Sequence, residues 1–297
     1  MRLKTKDFTE VFQEKLSLWL QRKIYQLGLI YRPISETEKE QYLLAVIREI
    51  LETDLPRAGP QRLKRWEKGW KENLVDLRTK KPVEAVIPHY FGKHPMIRFK
   101  QDFIKPLSKN FEYHSLALIT YWLLEKYFKS AAIIYEFGCG TGHNLLRARE
   151  VNQGAEIWGL DWARSSQKII RKLGFKVAGF DLFKPNKQFK LRPNSNVLTV
   201  AAVEQLGKRF KPIVQYWLKN KIKLCVNIEP INELLDKDNL LDYLSIEYAK
   251  KRNYVAGYLI YLKQLEKQGK IIIHRAQRTY IGSLFIDGYS VIVWSPK

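Results

Sequence analysis

Cysteine is nearly absent: Cys139 and Cys225 are the only two in 297 residues, too few for a disulfide framework or a thiolate zinc site. Both read as small buried residues. Long apolar runs are missing as well. No stretch reaches the ~18 residues that a membrane-spanning helix needs. The basic N-terminus MRLKTKDFTEVFQEKL is not followed by the uninterrupted apolar segment of a secretory signal, so a cytoplasmic location is expected. The five histidines, His89, His94, His114, His143 and His274, show no metal-ligand spacing, and no metal is expected. Acidic residues are scarce, 30 Asp+Glu against 52 Lys+Arg, which leaves a net charge of +22. Such an excess fits a nucleic-acid or anionic-membrane partner, and equally a whole-protein bias. It is spread along the chain, +9 over residues 1–130 and +13 over 131–297, and does not gather in a tail.

What is present divides the chain. From Asp7 to about Ile30 the apolar residues Phe8, Val11, Phe12, Leu16, Trp19, Leu20, Ile24 and Leu27 recur at steps of three and four, which predicts one helix ended by Pro33. Ser35-Glu36-Thr37-Glu38 reads as a capping box opening a second helix. A third starts at Pro60 and carries Trp66 and Trp70, read as core aromatics. Residues 1–80 are thus expected to form a helical unit. Between residues 81 and 110, Pro82, Pro88, Pro95 and Pro106 block long elements, and this stretch reads as a linker or lid. From Phe111 onward strands and helices alternate, which predicts a parallel sheet covered on both faces. The expected strands are 133–137, 156–160, 176–180, 196–203, 223–228, 270–275 and 289–294, the last two paired antiparallel because no crossover helix fits between them. The segment 232–268 reads as a helical, tyrosine-rich insertion.

The chain is organised around IIYEFGCGTGHN, residues 133–144: an apolar strand, an acid at its end, and glycines at 138, 140 and 142. Closely spaced glycines let the backbone turn from strand to helix and approach a ligand that any Cβ would keep away. A dinucleotide fingerprint requires G-x-G-x-x-G, and His143 stands where its third glycine would be. Glu136-Phe137-Gly138-Cys139-Gly140-Thr141-Gly142 resembles instead the first motif of the class I S-adenosylmethionine (SAM) dependent methyltransferases, an acid, a spacer and G-x-G-x-G. The resemblance covers residues 111–297. It implies an α/β fold with a seven-stranded, mostly parallel, doubly wound sheet, here with an N-terminal helical extension, and SAM as cofactor.

That reading assigns candidate residues. Glu136, Phe137, Gly138, Gly140 and Gly142 form the cofactor turn. Asp161, about twenty residues on, is placed to accept ribose hydroxyls, with a helix cap as its plainer reading. Trp162 stacks on adenine or simply packs. Asp181, with Leu182, resembles the acid that meets the adenine amino group, and it also reads as a turn residue before Pro185. Ala201, at the end of the fourth strand, leaves space beside the donor methyl. By analogy Arg98 holds the cofactor carboxylate, with Gln101 nearby; a plain surface arginine is the alternative. For the chemical step the candidates are Glu229, Glu204 and His274, each also readable as a cap, ion-pair partner or packed residue. Asn253 and Tyr254 are the substrate-side candidates.

The function expected is SAM-dependent O-methylation of a small or glycan-like polar metabolite. The Asn/Asp-Pro-Pro-aromatic motif with which nucleic-acid amino methyltransferases grip a flipped base is absent after the fourth strand. An RNA or protein methyltransferase, favoured only by charge, and a SAM-binding protein without catalysis stand as alternatives.

Overall fold

A computed structural model describes all residues 1–297. The elements run in the order α1 (Thr5–Phe12), α2 (Leu18–Leu27), β1 (Tyr31–Pro33), α3 (Glu36–Glu52), a 3-10 turn (Pro60–Arg62), α4 (Leu63–Asp76), α5 (Pro82–Ala85), β2 (Ile97–Phe99), β3 (Asp102–Pro106) and α6 (Phe111–Tyr127). Then come β4 (Ile133–Phe137), α7 (His143–Val151), β5 (Glu156–Asp161), α8 (Arg164–Lys172), β6 (Lys176–Gly179), β7 (Asn196–Val200), α9 (Lys211–Lys219) and β8 (Leu224–Glu229). The chain closes with α10 (Leu240–Lys251), α11 (Tyr258–Lys267), β9 (Ile271–Gln277), β10 (Ile281–Gly282) and β11 (Ser290–Pro296).

The main sheet has seven strands in the order β6-β5-β4-β7-β8-β11-β9. Neighbours from β6 to β8 are parallel, and β11 runs antiparallel to both β8 and β9. The order reverses at β4, so the crevice where parallel-sheet proteins bind ligands opens at the carboxyl ends of β4 and β7. Side chains alternate across the sheet as its pleat requires. Ile134, Leu198, Val226, Val291 and Val293 face one core, while Tyr135, Phe137, Val197, Cys225, Ile292 and Trp294 face the other. Both faces are therefore apolar, which is why these strands read as nearly continuous apolar runs.

The N-terminal segment departs from the single helix expected over 7–30. Gln13 adopts a left-handed conformation (φ 55°) and ends α1, Ser17 accepts the Leu20 N–H at 3.1 Å to start α2, and Gly28 (φ 56°) ends it. Pro33 lies instead in β1. The apolar spacing hid the break because Leu16 and Leu20 carry the buried stripe straight across it. The capping box at Ser35 and Glu38 is formed as the sequence predicts.

These helices share a core with the main sheet. Phe8, Val11, Phe12 and Ile24 lie in the same cluster as Ile134, Val226 and Val291. Phe12 stacks on Trp122 of α6 with ring centroids 4.3 Å apart and planes 2° apart, and Glu14 accepts a hydrogen bond from the Trp122 indole. β1, β3, β2 and β10 form, in that order, a small antiparallel sheet, so the residues 81–110 stretch is partly woven into the link between β9 and β11. That link is held by Arg278, which donates to Asp242 through two bonds of 2.7 Å and to Asp287 at 2.7 Å, all three buried.

Because the N-terminal helices complete one face of the sheet, the chain is expected to unfold as a single cooperative unit. Phe12→Ala should lower stability by about 3–5 kcal/mol while denaturant unfolding, followed by tryptophan fluorescence and by far-UV circular dichroism, keeps one coincident transition. A separate early transition for the N-terminal helices would refute this.

Candidate functional site

The turn after β4 is built by backbone. Gly138 (φ 69°) donates to Leu160 O at 2.7 Å, and a Cβ there would sit 2.5 Å from that of Ala202. Gly140 (φ 51°) donates to Asp161 Oδ2 at 2.9 Å, and a Cβ would meet the Trp70 ring at 2.9 Å. Gly142 serves packing rather than the cavity, since a Cβ there would strike Ile170 of α8 at 2.4 Å and the residue is not part of the cavity lining. The cavity at this turn, with its open mouth, spans about 710 Å³. Its floor is Glu136, Gly138, Gly140, Asp161 and Ala201.

Glu136 is 1% exposed; its Oε1 accepts from Asn144 at 2.8 Å, and its Oε2 has no partner. Burial pushes its pKa up to about 8. A buried carboxylate left half-bonded is a site waiting for a cation. Asp161 is engaged on both oxygens, accepting from Gly140 and, at 2.8 Å, from Ala163, and burial raises its pKa to about 6. It thus clamps the glycine turn to β5 and retains free lone pairs toward the cavity it lines. Trp162 lines the wall with its ring stacked on Phe183 (5.6 Å, 29°). Leu182 joins them, whereas Asp181 turns away to accept the Phe183 N–H at 2.8 Å, the local role of a turn aspartate. Phe137 belongs to the opposite core, packed on Phe180 and Trp217 at 5.0 and 5.5 Å, because odd positions of β4 face that way.

The roof comes from elements whose role is not evident in the sequence. Trp66 and Trp70 of α4, stacked at 5.3 Å, and Tyr90 close the cavity over the glycines. Glu67 holds α4 there by accepting the Ser165 hydroxyl at 2.6 Å and the Ser165 N–H at the start of α8. His143 and Asn144 of α7 and Gln205 complete the lining. The Trp66/Trp70 spacing reveals one aromatic helix face, but nothing local says what it faces. His143 is buried; Thr141 gives its hydroxyl proton to Val86 O at 2.6 Å, so His143 Nδ1 donates to Thr141 at 3.0 Å and Nε2 presents a bare lone pair.

Arg98 is not at this cavity. It lies in β2, 3% exposed, and donates to the carbonyls of Leu241, Leu284 and Phe285, because the hairpin of β2 and β3 docks on β10 and those buried carbonyls need donors. Gln101 is exposed in the turn of the same hairpin at φ 63°.

A second chamber, about 1410 Å³ with its mouth, adjoins the first and shares Trp66, Trp70, Tyr90, Ala201 and Gln205 with it. Glu204 and Tyr254 line it. Glu204 is 8% exposed and accepts from Gln205 at 2.7 Å; burial, then the charge of Glu229, pushes its pKa up to about 8. Asn253 does not reach the chamber, since its amide donates to Ala58 O at 3.1 Å within a left-handed turn. Glu229 is fully buried behind the wall. It accepts from Thr199 Oγ1 (2.8 Å) and from the N–H groups of Ala202 (3.2 Å), Val203 (3.0 Å) and Glu204 (2.9 Å), which occupies it as a cap on the turn after β7. His274 sits exposed on the edge strand β9, bonded to Ser295 at 2.8 Å and remote from either chamber, because even positions of β9 face solvent.

No protein-family model matches the sequence, and no curated protein matches it. Solved structures do share its architecture. An O-methyltransferase family protein from Burkholderia thailandensis is similar with a TM-score of 0.51 at 10% identity, over 97% of this chain and 75% of that one. The N-methyltransferase NodS from Bradyrhizobium japonicum WM9, in complex with S-adenosyl-L-homocysteine, gives 0.48 at 10% over 78% and 98%. The pyocyanin biosynthetic protein PhzM gives 0.46 at 12% over 63% of this chain, which spans 57% of PhzM. At such identities the likeness is one of fold: the chain has the class I methyltransferase fold.

The four donors on Glu229 make it a structural group. Glu229→Gln keeps its shape yet turns an N–H2 toward N–H donors, and should lower stability by about 1–3 kcal/mol for each donor left unpaired. Denaturant midpoints check this; an unchanged midpoint would free Glu229 from the role of cap.

Proposed function

We propose that the protein is a SAM-dependent methyltransferase acting on a small polar acceptor, with oxygen as the methylated atom. The observation that carries this reading is the pair of joined chambers. One has an unpartnered carboxylate at a glycine turn; the other is lined by a buried carboxylic acid and tyrosines. The first fits the cofactor's chemistry. Glu136 Oε2 suits an ammonium, Gly138 and Gly140 line the cavity with Ala202 and Trp70 packed where a Cβ would stand, Asp161 offers lone pairs to hydroxyls, and Trp162 with Phe183 forms a flat apolar wall for an adenine. When bound, SAM supplies an electrophilic methyl group on a sulfonium sulfur.

The chain's own residues do the rest. Trp66, Trp70 and Tyr90 wall the junction of the chambers, and the small Ala201 leaves room there for an acceptor held in line, so the rate is drawn largely from positioning. A hydroxyl acceptor must also lose a proton, and Glu204 is the group placed to take it on a carboxylate oxygen. Neither Glu229 nor His274 serves that purpose, the first being saturated by donors and the second facing solvent.

Two measurements test this reading. Without a cation beside it Glu136 holds a proton below about pH 8, with Asn144, Arg147 and Asp161 as the groups that face it. A cationic ligand requires the carboxylate, so SAM binding at pH 7 should release a proton, and affinity should rise as pH increases toward 8. Calorimetry in two buffers of different ionisation enthalpy reads that proton. Glu136→Gln should abolish its release and weaken binding by about tenfold or more; unchanged binding would remove the cofactor from this pocket.

The base must be ionised. Turnover should therefore climb through pH 7 and level above about pH 8, the value at which Glu204 loses its proton, with Arg62, Arg252 and Glu229 around it. Glu204→Gln should lower turnover by about 10²–10⁴-fold and flatten that limb while SAM affinity stays unchanged. A variant with near-normal turnover and the same pH profile would exclude a side-chain base and favour an amine acceptor.

A further inference from the structure

The second chamber holds two arginines that the methyl-transfer chemistry does not use. Arg62, 7% exposed, stands where the 3-10 turn meets α4, and Arg252, 9% exposed, caps the end of α10. Both line the chamber that contains Glu204. Burying a guanidinium is costly unless its donors and charge are met. Here they are met only in part. Arg62 spends Nη1 on Pro56 O at 3.2 Å and Arg252 spends Nη2 on the Tyr254 hydroxyl at 3.2 Å, and in both residues Nε has no partner.

No direct ion pair neutralises them, and Glu204 acts on both only through its charge. The acids on the chamber wall are Glu72, Glu112 and Glu204, and none forms an ion pair with either arginine. Glu72 pairs with His89 at 3.3 Å, Glu112 accepts from Tyr289 at 3.4 Å, and burial raises the pKa values of both Glu112 and Glu204, weakening them as anions. Arg65 and Lys93 add two further cations to the lining. Burial and the charge of Arg252 lower the pKa of Arg62, whereas Tyr254, Tyr248 and Glu204 raise that of Arg252 against its burial. Aromatic faces hold them in place meanwhile: Arg62 lies 5.5 Å from the Trp66 ring centroid, and Arg252 lies 5.2 Å from that of Tyr254 and 5.9 Å from that of Tyr248.

From this juxtaposition we infer that Arg62 and Arg252 form an oxyanion subsite in the acceptor chamber, so that the methyl acceptor is an organic anion carrying a carboxylate or a phosphate group. Planar forks of N–H donors match either group. The tyrosines and Phe285 of the same wall suit a flat or apolar body for the molecule. The inference rests on the methyltransferase reading, which makes this chamber the acceptor's.

The full-length protein is titrated by calorimetry with benzoate, phenyl phosphate and the neutral benzamide, each with and without saturating S-adenosyl-L-homocysteine. One anion, benzoate or phenyl phosphate, should bind at least about tenfold more tightly than benzamide, and which of the two it is distinguishes a carboxylate from a phosphate acceptor. Arg62→Gln and Arg252→Gln should each erase most of that preference while S-adenosyl-L-homocysteine affinity stays within about twofold, which also certifies that the variants are folded. Arg252→Lys, which keeps the charge and loses the fork, should retain part of it. Equal binding of all three probes, or an anion preference that survives both glutamine variants, would overturn the inference. Failure of S-adenosyl-L-homocysteine itself to bind would instead sink the methyltransferase reading, so the two failures are separable.

Discussion

One carboxylate sets the wall between the two chambers. Glu229 ends β8 and gathers four donors from β7 and the turn that follows it, so the chain from Ala201 to Gln205 hangs from a single buried group. Ala201 is driven to φ 50° there, a left-handed conformation that costs an alanine about 1 kcal/mol or more. The strain is tolerated because its N–H is tied to Ile228 O at 2.9 Å and the next three N–H groups are claimed by Glu229. The result is a small residue at the junction of both cavities, with Glu204 delivered to the far side.

A second constraint acts from above. The seven-stranded sheet supplies a floor, as open parallel sheets do, but a floor does not exclude water. Exclusion falls to α4, which belongs to a part of the chain far from the glycine turn in sequence. It is brought there by two means, the common apolar core of the N-terminal helices with the sheet and the hydrogen bonds of Glu67 to Ser165 at the start of α8. The N-terminal extension thus supplies the wall of the cavity that faces the glycine turn. The small sheet formed by β1, β2, β3 and β10 serves to brace the far end, with Arg98 and Arg278 satisfying buried carbonyls and carboxylates.

The electrostatics of the site run against the protein as a whole. The chain carries +22, yet the cofactor cavity is built on two buried acids, Glu136 and Asp161. Burial raises the pKa of both, Glu136 to about 8 and Asp161 to about 6, so full negative charge on Glu136 appears only where a cation or a higher pH favours it. The acceptor chamber has the opposite polarity, with arginines at its wall.

The sequence by itself determined the sheet, its seven strands, the antiparallel end and the glycine turn with Glu136 and Asp161, because these follow from local period, chain spacing and backbone conformation. It also singled out Glu204 and Tyr254, which line the second chamber. Tertiary structure alone decided the rest. Whether a carboxylate is free or saturated depends on which donors fold against it, so Glu204 and Glu229, alike in sequence as acids ending adjacent strands, differ completely in space. Arg98 and Gln101 lay in a stretch whose prolines spoke of a lid, but the hairpin they form pairs with β10, a partner about 180 residues away. Trp66 and Trp70 read as core because an apolar helix face looks the same whether it meets a sheet or roofs a cavity. Such choices are made by long-range packing, and no local pattern encodes them.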